Sequence, residues 1–322
     1  MKDETFLWKY ELINAGFIYD SEIIDFIKKK KLTYILKESP FYKLDTNLRR
    51  SNIAFKLTDE EKEELNKIKD IVYFAEKFCK MDNNESRIWG FPKLELFDYQ
   101  KEMLREFSRS DRVISVLSGR QMGKGWMTAI YILWYLINNA DKNVVVASQH
   151  HDELIYKVKH LYSTLPFYLK PGIKRWNEKS ITFENQCMAV YTKITKEPAI
   201  GFTINVLIVS DALQGDINKT STYMSLMYPC ISAINNSKVI VMNGGMNNYD
   251  SELYKTFFED KDKNFKHLIY HYSLIPEWDE KWKQTVIDMI GLDSFRREYG
   301  LEKVDIVKEL LEKINNKENG LH

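Results

Sequence analysis

Residues 112–138, RVISVLSGRQMGKGWMTAIYILWYLIN, pass from a β-branched run through a turn ending in Gly-Lys into an apolar helical stretch. A strand that enters such a turn and leaves it as a helix aims backbone N–H groups and a helix N-terminus at one point, which makes an anion site. From that point Lys124 would reach the outer phosphates of a nucleotide. The common form of this loop, GxxxxGK[ST], follows its lysine with a hydroxyl residue that ligates Mg²⁺. Here Gly119 stands four residues before Gly123, and Lys124 is followed by Gly125. Taken alone, the stretch is either a phosphate cradle or a tight strand-to-helix connection.

The flanking sequence repeats the same alternation. KNVVVASQ, INVLIVSD and SKVIVMNGG are continuous Val/Ile runs, HHDELIYKVKHLYSTL has a helical period, and SITFENQCMAVYTK alternates like a hairpin. Strands without a polar face, separated by helices, predict a mostly parallel sheet covered on both sides. Upstream, LTDEEKEELNKIKDIVYFAEKFCK predicts one helix capped by Thr58, with Glu60 and Glu61 at the positive end of its dipole. FPKLELFDYQKEMLREF predicts an extended piece and a second helix. The expected fold class is α/β, with a small helical region at 1–60, an α/β domain at 61–300, and a C-terminal helix and tail at 301–322.

Composition narrows the function classes. The net charge over 322 residues is +1, so global basicity does not argue for nucleic acid. Local candidates for phosphate contact are the run Lys28 to Lys31, the pair Arg49 and Arg50, and the pair Arg296 and Arg297. The cysteines Cys79, Cys187 and Cys230 show no metal-ligand spacing, which fits a reduced compartment. No stretch approaches the roughly 20 apolar residues of a membrane span, so a soluble, cytoplasmic protein without membrane contact is expected.

Two more stretches bear on chemistry. GFTINVLIVSDALQGD ends a buried strand in Ser210-Asp211. ATPases of this general kind place an Asp there to hold Mg²⁺ and a Glu beside it to orient water, although a lone Asp also serves as an ordinary turn former. In DYQKEM, Tyr99 and Gln100 suit an adenine sandwich, or equally a plain surface helix.

In order and spacing these stretches resemble the ATPase domain of the terminase large subunit, the DNA-packaging motor of tailed double-stranded DNA bacteriophages. The resemblance runs over residues 70–300 and includes YFAEKFCK, LFDYQKEML, LSGRQMGKG, WNEKSITFENQ, LYKTFFED, WDEKW and FRREYG. It implies a RecA/ASCE-like P-loop NTPase fold and ATP as ligand. It assigns Tyr99 and Gln100 to the adenine. Gly119, Arg120, Gln121, Gly123 and Lys124 fall in the family's variant phosphate loop, with Arg120 as a charge-stabilising finger. It also implies double-stranded DNA, a portal or another terminase subunit as partners, oligomerisation on a portal, and action in the cytoplasm of an infected bacterial host.

The departures from the family share one direction. Gly125 replaces the Mg²⁺-ligating hydroxyl. Ser210 replaces the metal-binding Asp and leaves Asp211 at the catalytic Glu position; in the other register Asp211 is the metal-binding Asp and Ala212 replaces the Glu. Either way Asp211 is the one carboxylate left for metal and catalysis. Asn243, Gly244 and Gly245 stand where the family has its coupling motif. A water can replace one lost ligand, but losing the hydroxyl and a carboxylate together should cost several orders of magnitude in rate. The chain ends shortly after FRREYG, so the family's nuclease is not expected. Two functions follow: a terminase-like protein of DNA packaging or virion assembly with weak or absent hydrolysis, or an active packaging ATPase whose nuclease lies on another chain.

Overall fold

The computed structural model describes residues 39–53, 56–80, 95–109, 112–195, 201, 203–214, 216–259 and 265–304. The Val/Ile runs form the parallel strands β1 (Val113–Ser118), β2 (Asn143–Ala147), β6 (Val206–Val209) and β7 (Lys238–Gly244). The predicted hairpin is β4 (Ser180–Phe183) and β5 (Met188–Thr192), paired antiparallel. Two strands not foreseen from sequence, β3 (Ile173–Trp176) and β8 (Lys266–Tyr270), complete one sheet in the order β3-β4-β5-β2-β6-β7-β1-β8. From β5 to β8 every pairing is parallel. Strand β7 is inserted between the strand that feeds the Gly-Lys loop and the strand that ends at Ser210, which is the RecA/ASCE-like order expected.

Each central strand splits its side chains between two cores, as a period of two demands. Ile114, Val116, Val144, Val146, Val206, Ile208, Ile240 and Met242 face one side. Leu117, Val145, Ala147, Leu207, Val209, Val239 and Val241 face the other. The first side is covered by α1 (Asp59–Lys67), α2 (Ile71–Phe78), α3 (Asp98–Ser108), α4 (Lys124–Asn138) and α5 (His151–Thr164). Helix α4 is buried nearly all round because it lies between the sheet and its neighbouring helices. Each fully buried large apolar side chain there contributes about 1.5–3 kcal/mol, and Trp134 Nε1 adds a 2.7 Å hydrogen bond to Ile68 O. The other side is covered by α6 (Ile217–Ser232) and the helical turns of α7 (Glu252–Glu259). Helices α8 (Glu280–Ile290) and α9 (Leu292–Glu298) follow β8.

The single helix expected over 58–80 is two. Thr58 forms a complete capping box with Glu61, as its position predicts. Asp70 then caps a new helix by accepting from the N–H groups of Val72 and Tyr73, and a turn at Ile68–Lys69 separates the pair. Of the N-terminal helical region, residues 1–38 lie outside the described residues. Residues 39–53 form one 3₁₀ turn and short bridges rather than an α-helix, and Arg50 pairs in parallel with Ile173. The amphipathic C-terminal helix expected beyond residue 304 also lies outside the described residues.

Candidate functional site

The loop after β1 is pinned from both sides of that strand. Gly119 N donates to Tyr270 O at the end of β8, and Gly245 N, just after β7, donates to Ser118 O. Gln121 (φ 59°) and Gly123 (φ 81°) both take left-handed conformations, and Gly123 caps α4. A side chain at Gly123 would be strained by that φ, and its Cβ would meet Gln100 Nε2 at 2.7 Å.

Tyr99 and Gln100 stand behind this loop. Tyr99 OH donates to Met122 O at 3.0 Å; Gln100 Nε2 lies 3.3 Å from Tyr99 OH and 3.5 Å from Met122 O. Both are buried, and neither lines the cavity in front of the loop. Phe97, stacked on Tyr99 with ring centroids 5.8 Å apart, lines the cavity wall, as do Trp126, Trp278 and Trp282. The sequence pattern did not single out Phe97, because two aromatic positions either side of Asp98 at the start of a helix cannot be ranked by exposure before the helix is docked.

That cavity, about 890 Å³, opens at the C-terminal ends of the parallel strands, where open α/β sheets place their ligands. Arg120, Gln121, Gly123, Lys124, Ser210 and Asp211 all line it. Gly119 sits just outside, under the loop, where an added Cβ would meet Met122 Sδ at 3.1 Å and Tyr299 O at 3.3 Å. Lys124 Nζ donates to Ser118 Oγ at 3.0 Å. Burial pulls its pKa down to about 8; Asp211 and Glu298 act against that shift, and Arg120 adds to it. The ammonium lies against the end of β7, since a Cβ on Gly244 would stand 2.9 Å from Nζ.

Strand β6 delivers Ser210 and Asp211 to the cavity and buries Ala212 completely. Asp211 has a left-handed backbone (φ 56°), a conformation Asp tolerates better than most residues, and accepts from Ser210 Oγ at 3.2 Å. Asn243, fully buried at the end of β7, accepts from Leu213 N at 3.0 Å and donates to Gly245 O at 2.9 Å. This stitch ties the turn after β6 to the turn after β7.

The residues around the Mg²⁺ position do not fit that ion. Gly125 offers no oxygen, and a Cβ placed on it would stand 3.2 Å from Lys157 Nζ, an ammonium reaching in from α5. Among the described residues no group of three or more His, Cys, Asp or Glu side chains is arranged to hold a metal. Arg120, whose side chain is 47% exposed, is engaged by Glu298: Nε to Oε2 is 2.6 Å.

One arginine of each basic pair, Arg49 and Arg296, is engaged within the chain. Arg49 is buried, with its guanidinium bonded to Lys170 O (2.6 Å) and Ile53 O (3.0 Å) and paired with Glu184 at 3.1 Å. Arg296 is paired with Glu302 at 2.7 Å and Asp293 at 3.8 Å. These contacts remove Arg49 as a DNA-phosphate ligand and leave little free charge on Arg296. Lys28 to Lys31 lie outside the described residues. Among the described residues, no helix is long and apolar enough to cross a membrane.

Residues 116–216 match the family model described as terminase large subunit, T4likevirus-type, N-terminal. Among solved structures the fold is similar to the large terminase of bacteriophage HK97, with a TM-score of 0.55 and 14% identity over 73% of this chain. This chain spans 55% of that protein's length. It is also similar to a mutant of the ATPase domain of the Thermus phage P74-26 large terminase, with a TM-score of 0.50 and 15% identity. That match covers 70% of this chain and the whole of the domain. The matched range 116–216 takes in the Gly-Lys loop and the strand ending at Ser210-Asp211, and the chain carries the ATPase-domain fold of a phage terminase large subunit.

Proposed function

We propose that this protein binds ATP in the cavity before the Gly-Lys loop and serves phage DNA packaging or virion assembly with little or no hydrolysis. The observation that carries this reading is the asymmetry of the site. The phosphate-binding half is built: Gly123 and Gln121 hold the loop in left-handed turns, Tyr99 and Gln100 brace it from behind, and Lys124 projects into the cavity. The metal-and-water half is reduced to Asp211, with Gly125 and Ser210 contributing no carboxylate or ligating hydroxyl equivalent to the family's.

In this reading the chain's own residues bind and orient but do not activate water. The loop amides and Lys124 take the phosphates, Arg120 approaches their outer edge once released from Glu298, and Phe97 stacks on the base. Phosphoryl transfer depends on metal and a water-orienting carboxylate acting together, and Asp211 alone supplies one of the two. Partners in keeping with the fold are DNA, a portal ring or a catalytic terminase subunit.

Calorimetry with ATP and a phosphate-release assay, each on the natural chain and on Lys124→Ala, test the proposal. Binding that Lys124→Ala removes, with no phosphate release above background, is expected. Steady turnover abolished by Lys124→Ala would instead make the protein a working packaging ATPase.

A further inference from the structure

Beside the position where the family carries a hydroxyl side chain stands a lysine from a different helix. Lys157 lies on α5, its side chain is only 8% exposed, and its Nζ lines the same cavity as Lys124. The glycine gives it room: a Cβ on Gly125 would stand 3.2 Å from Lys157 Nζ and 3.9 Å from its Cδ, so a side chain there would crowd the ammonium and shift it. Glu153 and Trp126 help hold it in place. Glu153 Oε1 lies 2.5 Å from Nζ, and the face of Trp126 lies beneath it with the ring centroid at 5.3 Å. Trp126 is itself buried and belongs to the first turn of α4, so the cation is fixed relative to the phosphate loop.

We propose that Lys157 takes the electrostatic role of the divalent cation, so that this site binds nucleotide without Mg²⁺. The inference rests on the nucleotide reading above and specifies how that site works. An ammonium beside the helix N-terminus neutralises phosphate oxygens as the metal would, and it donates hydrogen bonds to them. It cannot ligate or polarise a water for attack, so the exchange preserves binding and removes a catalytic function. Glu153 is mostly exposed, with 62% of its side chain accessible, and can turn to solvent when a triphosphate replaces it as the partner of Lys157. Lys157 and Gly125 form one device: the ammonium keeps its present place because the glycine has no side chain to crowd it.

The test is calorimetric titration of ATP into the full chain in EDTA and in excess Mg²⁺, then into Lys157→Gln and Lys157→Arg. Affinity is expected to differ by less than tenfold between EDTA and Mg²⁺. In EDTA it should fall roughly 10- to 100-fold in Lys157→Gln, as for loss of a hydrogen bond to a charged group, and survive in Lys157→Arg, which keeps the charge. An affinity at least tenfold higher in Mg²⁺, or a Lys157→Gln chain that binds like the natural one, overturns the inference and leaves the nucleotide reading standing. No binding by the natural chain in either buffer removes the nucleotide reading itself, and this inference with it. The EDTA and Mg²⁺ comparison uses no variant, so it decides the question even if Lys157→Gln does not fold.

Discussion

Arg120 in the phosphate loop and Glu298 at the end of α9 are joined twice: Arg120 N donates to Glu298 O at 2.9 Å, and Arg120 Nε to Glu298 Oε2 at 2.6 Å. The contact closes the loop against the last described helix and occupies the guanidinium that would otherwise face the cavity. Because half the arginine side chain is exposed, the ion pair itself contributes at most about 1 kcal/mol. Glu298→Gln should therefore change the unfolding free energy by no more than that in a denaturant titration. It should also raise ATP affinity several-fold by freeing Arg120, whereas Arg120→Ala should lower it. A Glu298→Gln chain with unchanged affinity would show that Arg120 does not reach the phosphates.

Gly244 provides a check on the other loop cation, Lys124. Its added methyl group would sit 2.9 Å from Lys124 Nζ, at the flexible end of a side chain and not against backbone. Gly244→Ala should therefore leave stability within about 1 kcal/mol of the natural chain. It should weaken ATP binding on the order of tenfold by displacing the ammonium. Full affinity in that variant would mean that Lys124 binds phosphate from another rotamer.

Lys124 also sets a pH dependence. Burial lowers its pKa from 10.5 to about 8 in the folded chain. Between about pH 8 and 10.5 the unfolded chain then holds the extra proton, so this group makes stability rise with pH across that window. Below pH 8 the cost of burying the charge is fully present, and Lys124→Met should stabilise the protein there by about 1–3 kcal/mol. Binding moves the opposite way. ATP needs the charged form, so affinity should hold near pH 7 and decline above pH 8. Lys124→Arg should bind without that decline, and calorimetry from pH 7 to 9 reads both.

At the far edge of the sheet, Arg49 anchors residues 39–53. It bonds to Lys170 O and Ile53 O and pairs with Glu184, whose other contacts are Gly172 N at 2.9 Å and Asn52 N at 2.9 Å. Arg49→Ala leaves the Glu184 charge and the Lys170 carbonyl without their partner. A loss of about 2–4 kcal/mol is expected, together with faster proteolytic cleavage within 39–53. Unchanged cleavage would place the anchor in Arg50 and its bridge to Ile173.

The amino-acid sequence alone determined the layered core and the place of the site. Residues 113–118, 143–147, 206–209 and 238–244 are Val/Ile-rich runs with apolar side chains on both faces, and a sheet buried on both faces satisfies such runs; the Gly-Lys turn after the first marks the ligand end. The two-core split of Val144 and Val146 from Val145 and Ala147 follows from strand periodicity without any knowledge of partners. The break at Asp70 was not legible, because a helix that continues and one that restarts share the same apolar stripe. Strand β8, five residues of mixed character, becomes a strand because β1 has a free edge to pair with.

What the chain does with its phosphate loop was decided only by tertiary contacts. Lys157 reads in sequence as one more lysine on an amphipathic helix, and Glu298 as one more acid near a helix end. Their meaning comes from the docking of α5 beside Gly125 and of α9 beside Arg120. The same docking turns Tyr99 and Gln100 inward as braces for Met122 and brings Phe97 to the cavity. Local pattern records which face of an element is apolar, whereas a charge acquires a role only from what stands within a few ångströms of it, and those neighbours come from elements remote in the chain.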